Sequence, residues 1–267
     1  MDRVVSADVY KVALVFGPLT IHWYGVLVAV GFLLGLWTAS RRGLHDNLDP
    51  EKLVDFGPWV LGAAIVGSRL LFVIMEWRNY FSQQPWWEIF MIQKGGLVYY
   101  GGLIGASLAT VFYMRWKKLP LWRMADALAP SIALGQMFGR LGCLMNGCCY
   151  GRPSDLPWAI CFPKDHETHG LPVHPTEIYE SLLNLALYLA LAALYRRKKF
   201  TGQVFASYLI CYALLRSFVE MFRGDYAEYY GGGWITPAHL VSVGIFSAGT
   251  YLYWKFSRTA SQPVKDA

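Results

Sequence analysis

The sequence predicts an all-α, polytopic membrane protein of about seven transmembrane helices. The helices are joined by irregular or re-entrant segments and a small outer-face loop region. Three observations predict it. The 267 residues are 55% hydrophobic and only 16% charged, where a soluble domain carries about 25% charge. The mean hydropathy is +0.31, and the apolar residues fall in repeated runs near the roughly 20 residues a helix needs to cross the hydrocarbon. The 17 Tyr and 11 Trp fit aromatic belts at the two interfaces.

The runs place spans at roughly 21–40, 57–75, 96–114, 124–143, 179–195, 203–222 and 235–254. The first has an alternative start near Val12, with Gly17-Pro18 as a break. The fourth is the least regular, because Pro130, Gly135, Gly139 and Gly142 interrupt it. The whole chain reads as a single integral domain, with no soluble domain, low-complexity segment or internal repeat. Met1-Asp2-Arg3 is followed by no long apolar core with a small-residue cleavage site, which predicts no cleaved signal peptide.

Charge sets the expected orientation. One set of connections holds Arg41, Arg42, Lys52, Arg115, Lys117, Lys118, Arg123, Arg196, Arg197, Lys198, Lys199, Lys255, Arg258 and Lys265, fourteen cations. The other holds Arg3, Lys11, Arg78, Lys94, Arg152, Lys164 and Arg223, seven. The positive-inside rule puts the C-terminus in the cytoplasm and the N-terminus outside. The net charge of +6 is thereby read as membrane orientation, not nucleic-acid binding. The longer loops, 76–95, 144–178 and 223–234, then lie outside, and chemistry is expected there.

Arg69, Arg140 and Arg216 fall inside the apolar runs. An arginine near the bilayer centre costs at least about 2.5–3.5 kcal/mol. Internal partners or an anionic ligand must offset that.

Four segments carry polar residues in patterns suited to chemistry. Gly139-Arg140-Leu141-Gly142-Cys143-Leu144-Met145-Asn146-Gly147-Cys148-Cys149-Tyr150-Gly151 closes the fourth span. Its glycines allow close backbone approach, and Arg140 can fork to a phosphate or simply snorkel. Tyr212, Arg216, Glu220 and Arg223 share one helical face, either as a ligand site or as a self-satisfied ion-pair ladder. His174-Pro175-Thr176-Glu177-Ile178-Tyr179-Glu180 opens the fifth span, with Thr176 as the expected cap. Glu180 enters the membrane and needs a partner. Lys94-Gly95-Gly96-Leu97-Val98-Tyr99-Tyr100-Gly101-Gly102 suggests a tight re-entry that aims a phenol at a cavity, or an aromatic-belt anchor. Ile21-His22-Trp23-Tyr24-Gly25 opens the first span in similar style.

Cys143, Cys148, Cys149 and Cys161 lie at or beyond the outer face. They permit one or two disulfides in an oxidising compartment. Zinc is the rival, with His166, His169 or His174 as added ligands, but no tight C-x-x-C pair supports it. No metal and no cofactor is expected. Cys211, mid-span, reads as a small buried hydrophobe.

Together these residues resemble the prolipoprotein diacylglyceryl transferase family, in order from about Ile21 to Asp225. The strongest parts are Gly139–Gly151, His174 to Glu180, and Arg216 to Arg223, with Gly95–Gly105 and Val66-Gly67-Ser68-Arg69 in support. The resemblance implies a bacterial plasma-membrane enzyme whose site opens to the outer leaflet. It implies transfer of the diacylglyceryl group of phosphatidylglycerol to the thiol of a lipobox cysteine in a prolipoprotein signal peptide. A thioether forms and glycerol-1-phosphate leaves.

Arg140 matches the phospholipid-binding arginine and Arg216 the second essential one, with Tyr212 and Glu220 as neighbours. Tyr24, Asn146 and Gly151 match other required positions. The implied set is Arg140, Arg216, Tyr100 and Glu220 for catalysis, and Arg140, Tyr24, Asn146, Gly151, Tyr212, His174, Glu180 and Arg223 for binding. The family commonly has His at Tyr100, Asn at Cys143 and Glu at Cys148. The Gly-Cys-Cys-Tyr-Gly version resembles a branch of the family. Those departures leave the base unassigned among Tyr100, His174 and Glu180. The other classes open to this sequence are an anionic-lipid transporter or binding protein, and a transferase paralogue with another acceptor or donor.

Overall fold

The structure, a computed structural model, describes residues 5–6, 11–17, 19–92, 95–225 and 236–260. Arg3, Pro18, Lys94, Lys265, the start at Met1-Asp2-Arg3 and most of loop 223–234 lie outside the described residues. Among the described residues there are seven long helices: α1 (Trp23–Gly43), α2 (Pro50–Met75), α3 (Tyr99–Trp116), α4 (Leu121–Asn146), α5 (Thr176–Arg197), α6 (Gln203–Glu220) and α7 (Pro237–Ala260). Each covers most of one expected span. By length and composition, Trp23–Asp46, Pro50–Met75 and Thr176–Arg197 are apolar enough to cross a membrane. These helices present large apolar side chains outward, such as Leu33, Trp37, Val66, Leu70 and Ile74. Such faces suit lipid and mark a membrane protein.

The boundaries differ from the sequence expectation in ways with local causes. The chain before α1 is a hairpin, β2 (Val12–Phe16) against β3 (Leu19–His22), rather than more helix. Gly17 makes its turn at φ +58°, and Val12, Val15, Thr20 and Ile21 are β-branched. Helix α2 starts seven residues early, at Pro50, where Asp49 accepts a hydrogen bond from the Glu51 amide at 3.0 Å. Helix α4 runs unbroken through Pro130, since one proline removes one ladder bond. Thr176 is not the cap of α5 but its first residue. Its hydroxyl donates instead to the Cys149 carbonyl at 2.7 Å.

The chain divides into two compact units, one of residues up to Ala39 with those from Ala125, the other Ser40–Met124. In the second unit α2 and α3 pack backbone to backbone. A Cβ on Gly67 or Gly101 would run into the other residue's carbonyl oxygen, and one on Gly105 into that of Ala63. Small residues at such a seam let membrane helices approach closely.

In the first unit α1 packs on α4: the Ser131 hydroxyl donates to the Gly35 carbonyl, and a Cβ on Gly31 would meet the Phe138 side chain. The Ser181 hydroxyl of α5 donates to the Met137 carbonyl of α4 at 3.2 Å. Buried Asp126 of α4 accepts the Gly202 and Phe205 amides at 2.8 and 3.0 Å and pairs with Lys198 at 3.4 Å. It thereby fixes the start of α6.

A small sheet with order β1 (Val5–Ser6), β4 (Ile160–Cys161), β5 (Pro172–Val173) closes the loop after α4. Ile160, Phe162 and Val173 form its core, with Leu144 and Tyr150 packed against them.

Candidate functional site

Glu180 lies one turn into α5, buried. Its two carboxylate oxygens go to two different helices. Oε1 is 3.1 Å from Arg140 Nε on α4, and Oε2 is 3.4 Å from Arg216 Nη1 on α6. Arg216 Nη2 in turn lies 2.7 Å from Glu220 Oε2, one turn further along α6. Glu220 is fully buried, and its other oxygen accepts the Thr236 hydroxyl at 2.7 Å. One carboxylate thus bridges the two arginines, and a second carboxylate steadies one of them. The partner that Glu180 needed on entering the membrane is this pair of guanidiniums.

Both arginine side chains keep some exposure. Arg140 is held through Nε, and its side chain stays 21% exposed; Arg216 stays 12% exposed. Carboxylates that hold a guanidinium from behind orient its remaining N–H groups, which a planar fork can then offer to an oxyanion.

Other sequence-identified residues lie in the same unit. Tyr24, on the first turn of α1, touches α4: a Cβ on Gly142 would sit 3.0 Å from its ring. Asn146 ends α4 and donates to the Cys148 sulfur at 3.6 Å. Tyr212 stands one turn before Arg216, its ring stacked on Tyr208 at 5.7 Å. His174 Nδ1 is 3.3 Å from the Tyr179 hydroxyl, which also accepts from Trp158 Nε1 at 2.8 Å. Burial pushes the His174 pKa down, which favours the neutral ring at neutral pH.

Gly151 is where three segments are stitched. Its amide donates to the His174 carbonyl at 3.0 Å, and the next amide, of Arg152, to the Phe222 carbonyl at 2.8 Å. A Cβ on Gly151 would collide with His174 and with the Phe222 carbonyl. Glycine is required for this close approach.

Arg223 departs from the expected helical face. Helix α6 ends at Glu220, so Arg223 leaves the ladder with Arg216. Its Nε instead donates to Asp225 at 2.9 Å, and its carbonyl accepts Arg152 Nε at 3.1 Å. Tyr100 stands on the first turn of α3, in the unit Ser40–Met124, and is 61% exposed.

Arg69 belongs to that second unit and is buried. It donates to the carbonyls of Ile89, Glu88, Gly95 and Gly96 at 2.7, 2.7, 2.7 and 3.3 Å. The rings of Phe72 and Phe81 flank it at 5.5 and 5.4 Å. Gly95 and Gly96 take φ of +84° and +80°, a left-handed pair that turns their carbonyls toward the guanidinium.

The sequence reading missed two features. Glu177, beside Glu180, is buried with Oε1 unpartnered among the described residues. The sequence left the state of the outer cysteines open between disulfides and a metal site; all five cysteines are free thiols here. Cys143, Cys148 and Cys149 instead bring their sulfurs within 4.8 Å of one another, while Cys161 sits apart on β4. The C-x4-C-C spacing hid this, because the convergence depends on left-handed backbone at Gly147 (φ 71°) and Cys149 (φ 73°). Hydrogen bonds from the Cys143 and Cys148 thiols lower the Cys149 pKa, and the charges of Arg223 and Arg140 add to that.

Comparison with known proteins identifies the family. The family model for prolipoprotein diacylglyceryl transferase matches residues 11–255. A protein of Finegoldia magna named phosphatidylglycerol–prolipoprotein diacylglyceryl transferase is 39% identical over 97% of both chains. Proteins of the same name from Synechococcus elongatus and Pseudomonas putida are 35% and 34% identical, over 92% and 91% of this chain and 88% and 92% of theirs. This chain belongs to the prolipoprotein diacylglyceryl transferase family of membrane enzymes.

Proposed function

We propose that this chain transfers the diacylglyceryl group of phosphatidylglycerol to the thiol of the lipobox cysteine of prolipoproteins. The names of its relatives supply the reaction. The observation that carries the reading on this chain is Glu180, with Arg140 on one oxygen and Arg216 on the other.

The two arginines receive the phosphate of the lipid. As the glyceryl C–O bond breaks, negative charge grows on the departing glycerol phosphate, and guanidiniums already in place stabilise that charge most in the transition state. Removal from bulk water strengthens the effect. Glu180 and Glu220 act as positioning residues that hold the arginines before substrate arrives, and Thr236 holds Glu220. Gly151 and Asn146 shape the loop over α4, with Tyr24, Tyr212 and neutral His174 lining the approach. Arg223, tied to Asp225, supports that loop and adds positive potential.

All seven helices cross the membrane in this reading. The fourteen-to-seven division of cations supports a cytoplasmic C-terminus, an N-terminus outside and the loop 144–178 at the outer leaflet, where the site opens in this reading. The test is incubation of purified protein with labelled phosphatidylglycerol and a lipobox peptide. Thioether-linked diacylglyceryl peptide and one glycerol-1-phosphate per product are expected. Lipid binding without either product contradicts the reading.

A further inference from the structure

Cys143, Cys148 and Cys149 converge at the end of α4, three residues beyond Arg140. Their sulfurs lie within 4.8 Å of one another. Tetrahedral zinc with Zn–S bonds of about 2.3 Å holds its sulfurs about 3.8 Å apart. Sulfurs gathered within that limit are in reach of a single ion.

The surrounding structure holds these cysteines as a set. The Cys148 amide donates to the Cys143 carbonyl at 3.1 Å. Asn146 Nδ2 donates to Cys148 Sγ at 3.6 Å, the kind of outer contact that orients a metal ligand. Thr176 pins the Cys149 carbonyl from α5. Cys149 keeps a left-handed φ of 73°, a conformation that non-glycine residues adopt only when the surrounding structure holds them there.

No fourth protein ligand joins them among the described residues. His166, the nearest candidate by sequence, has both ring nitrogens engaged, Nε2 with the Gly147 carbonyl at 2.7 Å and Nδ1 with the Thr168 hydroxyl at 3.1 Å. Three protein ligands and an open position are the pattern of a catalytic rather than a structural zinc site.

We propose that Cys143, Cys148 and Cys149 bind one Zn2+ whose open position takes the acceptor cysteine's thiol. This rests on the transferase reading and supplies what that reading lacks, a means to activate the thiol. A thiol that coordinates zinc is deprotonated outright, so no side-chain base is needed. Its proton leaves to solvent as the bond to zinc forms. The bound sulfur then attacks the glyceryl carbon: the C–S bond forms, the C–O bond to phosphate breaks, and the electron pair leaves on the oxygen of glycerol-1-phosphate. Zinc and sulfur keep their oxidation states throughout.

The test uses the full chain, purified under reducing conditions. Elemental analysis should find about one zinc per chain, absent from Cys149→Ser and Cys143→Ser. Cobalt titrated into metal-stripped protein should show thiolate-to-cobalt charge-transfer absorption, and the band should shift on addition of a lipobox peptide but not of its Cys→Ser version. Chelation should abolish transfer and zinc restore it. The wild-type spectrum keeps the proposal testable if a variant does not fold. Full transfer by metal-free protein overturns the zinc site and leaves the transferase reading intact, as does a disulfide among the three cysteines in active protein. Stoichiometric zinc with a peptide-sensitive cobalt spectrum but no thioether supports the site and overturns the transferase reading.

Discussion

Arg69 and the pair Arg140–Arg216 bear the same burial cost and meet it differently. Arg69 is 7% exposed, and backbone carbonyls of the segment 88–96 surround it. Those acceptors are neutral and ring the guanidinium, so its donors are spent on shaping the segment that leads into α3. Arg140 and Arg216 meet carboxylates, which hold them from one side. The first arrangement is a clamp on the fold. The second is a preset grip for an anion. What surrounds a buried arginine, more than the arginine itself, indicates whether it serves structure or substrate.

The largest effect is expected at the grip. Arg140→Ala and Arg216→Ala should each lower transfer about 10²–10³-fold, as loss of one preorganised oxyanion donor does. Arg140→Lys should recover little, because an ammonium keeps the charge and loses the fork. Initial rates of thioether formation on folded protein check this.

Arg69→Ala should do the reverse. It strips four carbonyls of their donor and should cost about 3 kcal/mol, read as a lowered unfolding midpoint in detergent, with the rate per folded molecule near wild type.

Glu180→Gln sharpens the comparison. It keeps the shape but removes the charge that bridges the two arginines, leaving Arg216 its pair with Glu220, and transfer should fall about 10–100-fold, as for other outer residues that orient a site. An unchanged rate would mean that the bridge does not position the arginines. The smallest effect is expected at Thr236→Val. Losing one hydrogen bond to buried Glu220 should cost about 1 kcal/mol, visible as a modest fall in rate and midpoint.

Much of the architecture was legible in the sequence because lipid imposes a simple rule. Apolar runs of helical length announce α1 to α7, and their cations suggest a direction. Local exceptions were less legible. The hairpin at 12–22 reads as apolar, like the helix that follows it. The end of α6 at Glu220, before Arg223, has no proline or glycine to signal it.

In the site, the residues were legible and their partnerships were not. Arg140, Arg216 and Glu180 were each identified as needing a partner, yet only the packing of α4, α5 and α6 joins them. The ring around Arg69 was invisible, since backbone carbonyls leave no mark in a sequence. The convergence of Cys143 with Cys148 and Cys149 depends on two left-handed residues, and a residue such as Cys149 gives no warning of that conformation.

The most direct measurement compares Arg140→Ala with Arg69→Ala in one purified phosphatidylglycerol–lipobox peptide assay, alongside their unfolding midpoints. The account predicts that Arg140→Ala loses transfer even per folded molecule, whatever midpoint it gives up with the Glu180 pair, while Arg69→Ala loses midpoint and keeps transfer per folded molecule. Wild-type transfer by Arg140→Ala, or an intact midpoint with lost transfer in Arg69→Ala, would contradict it.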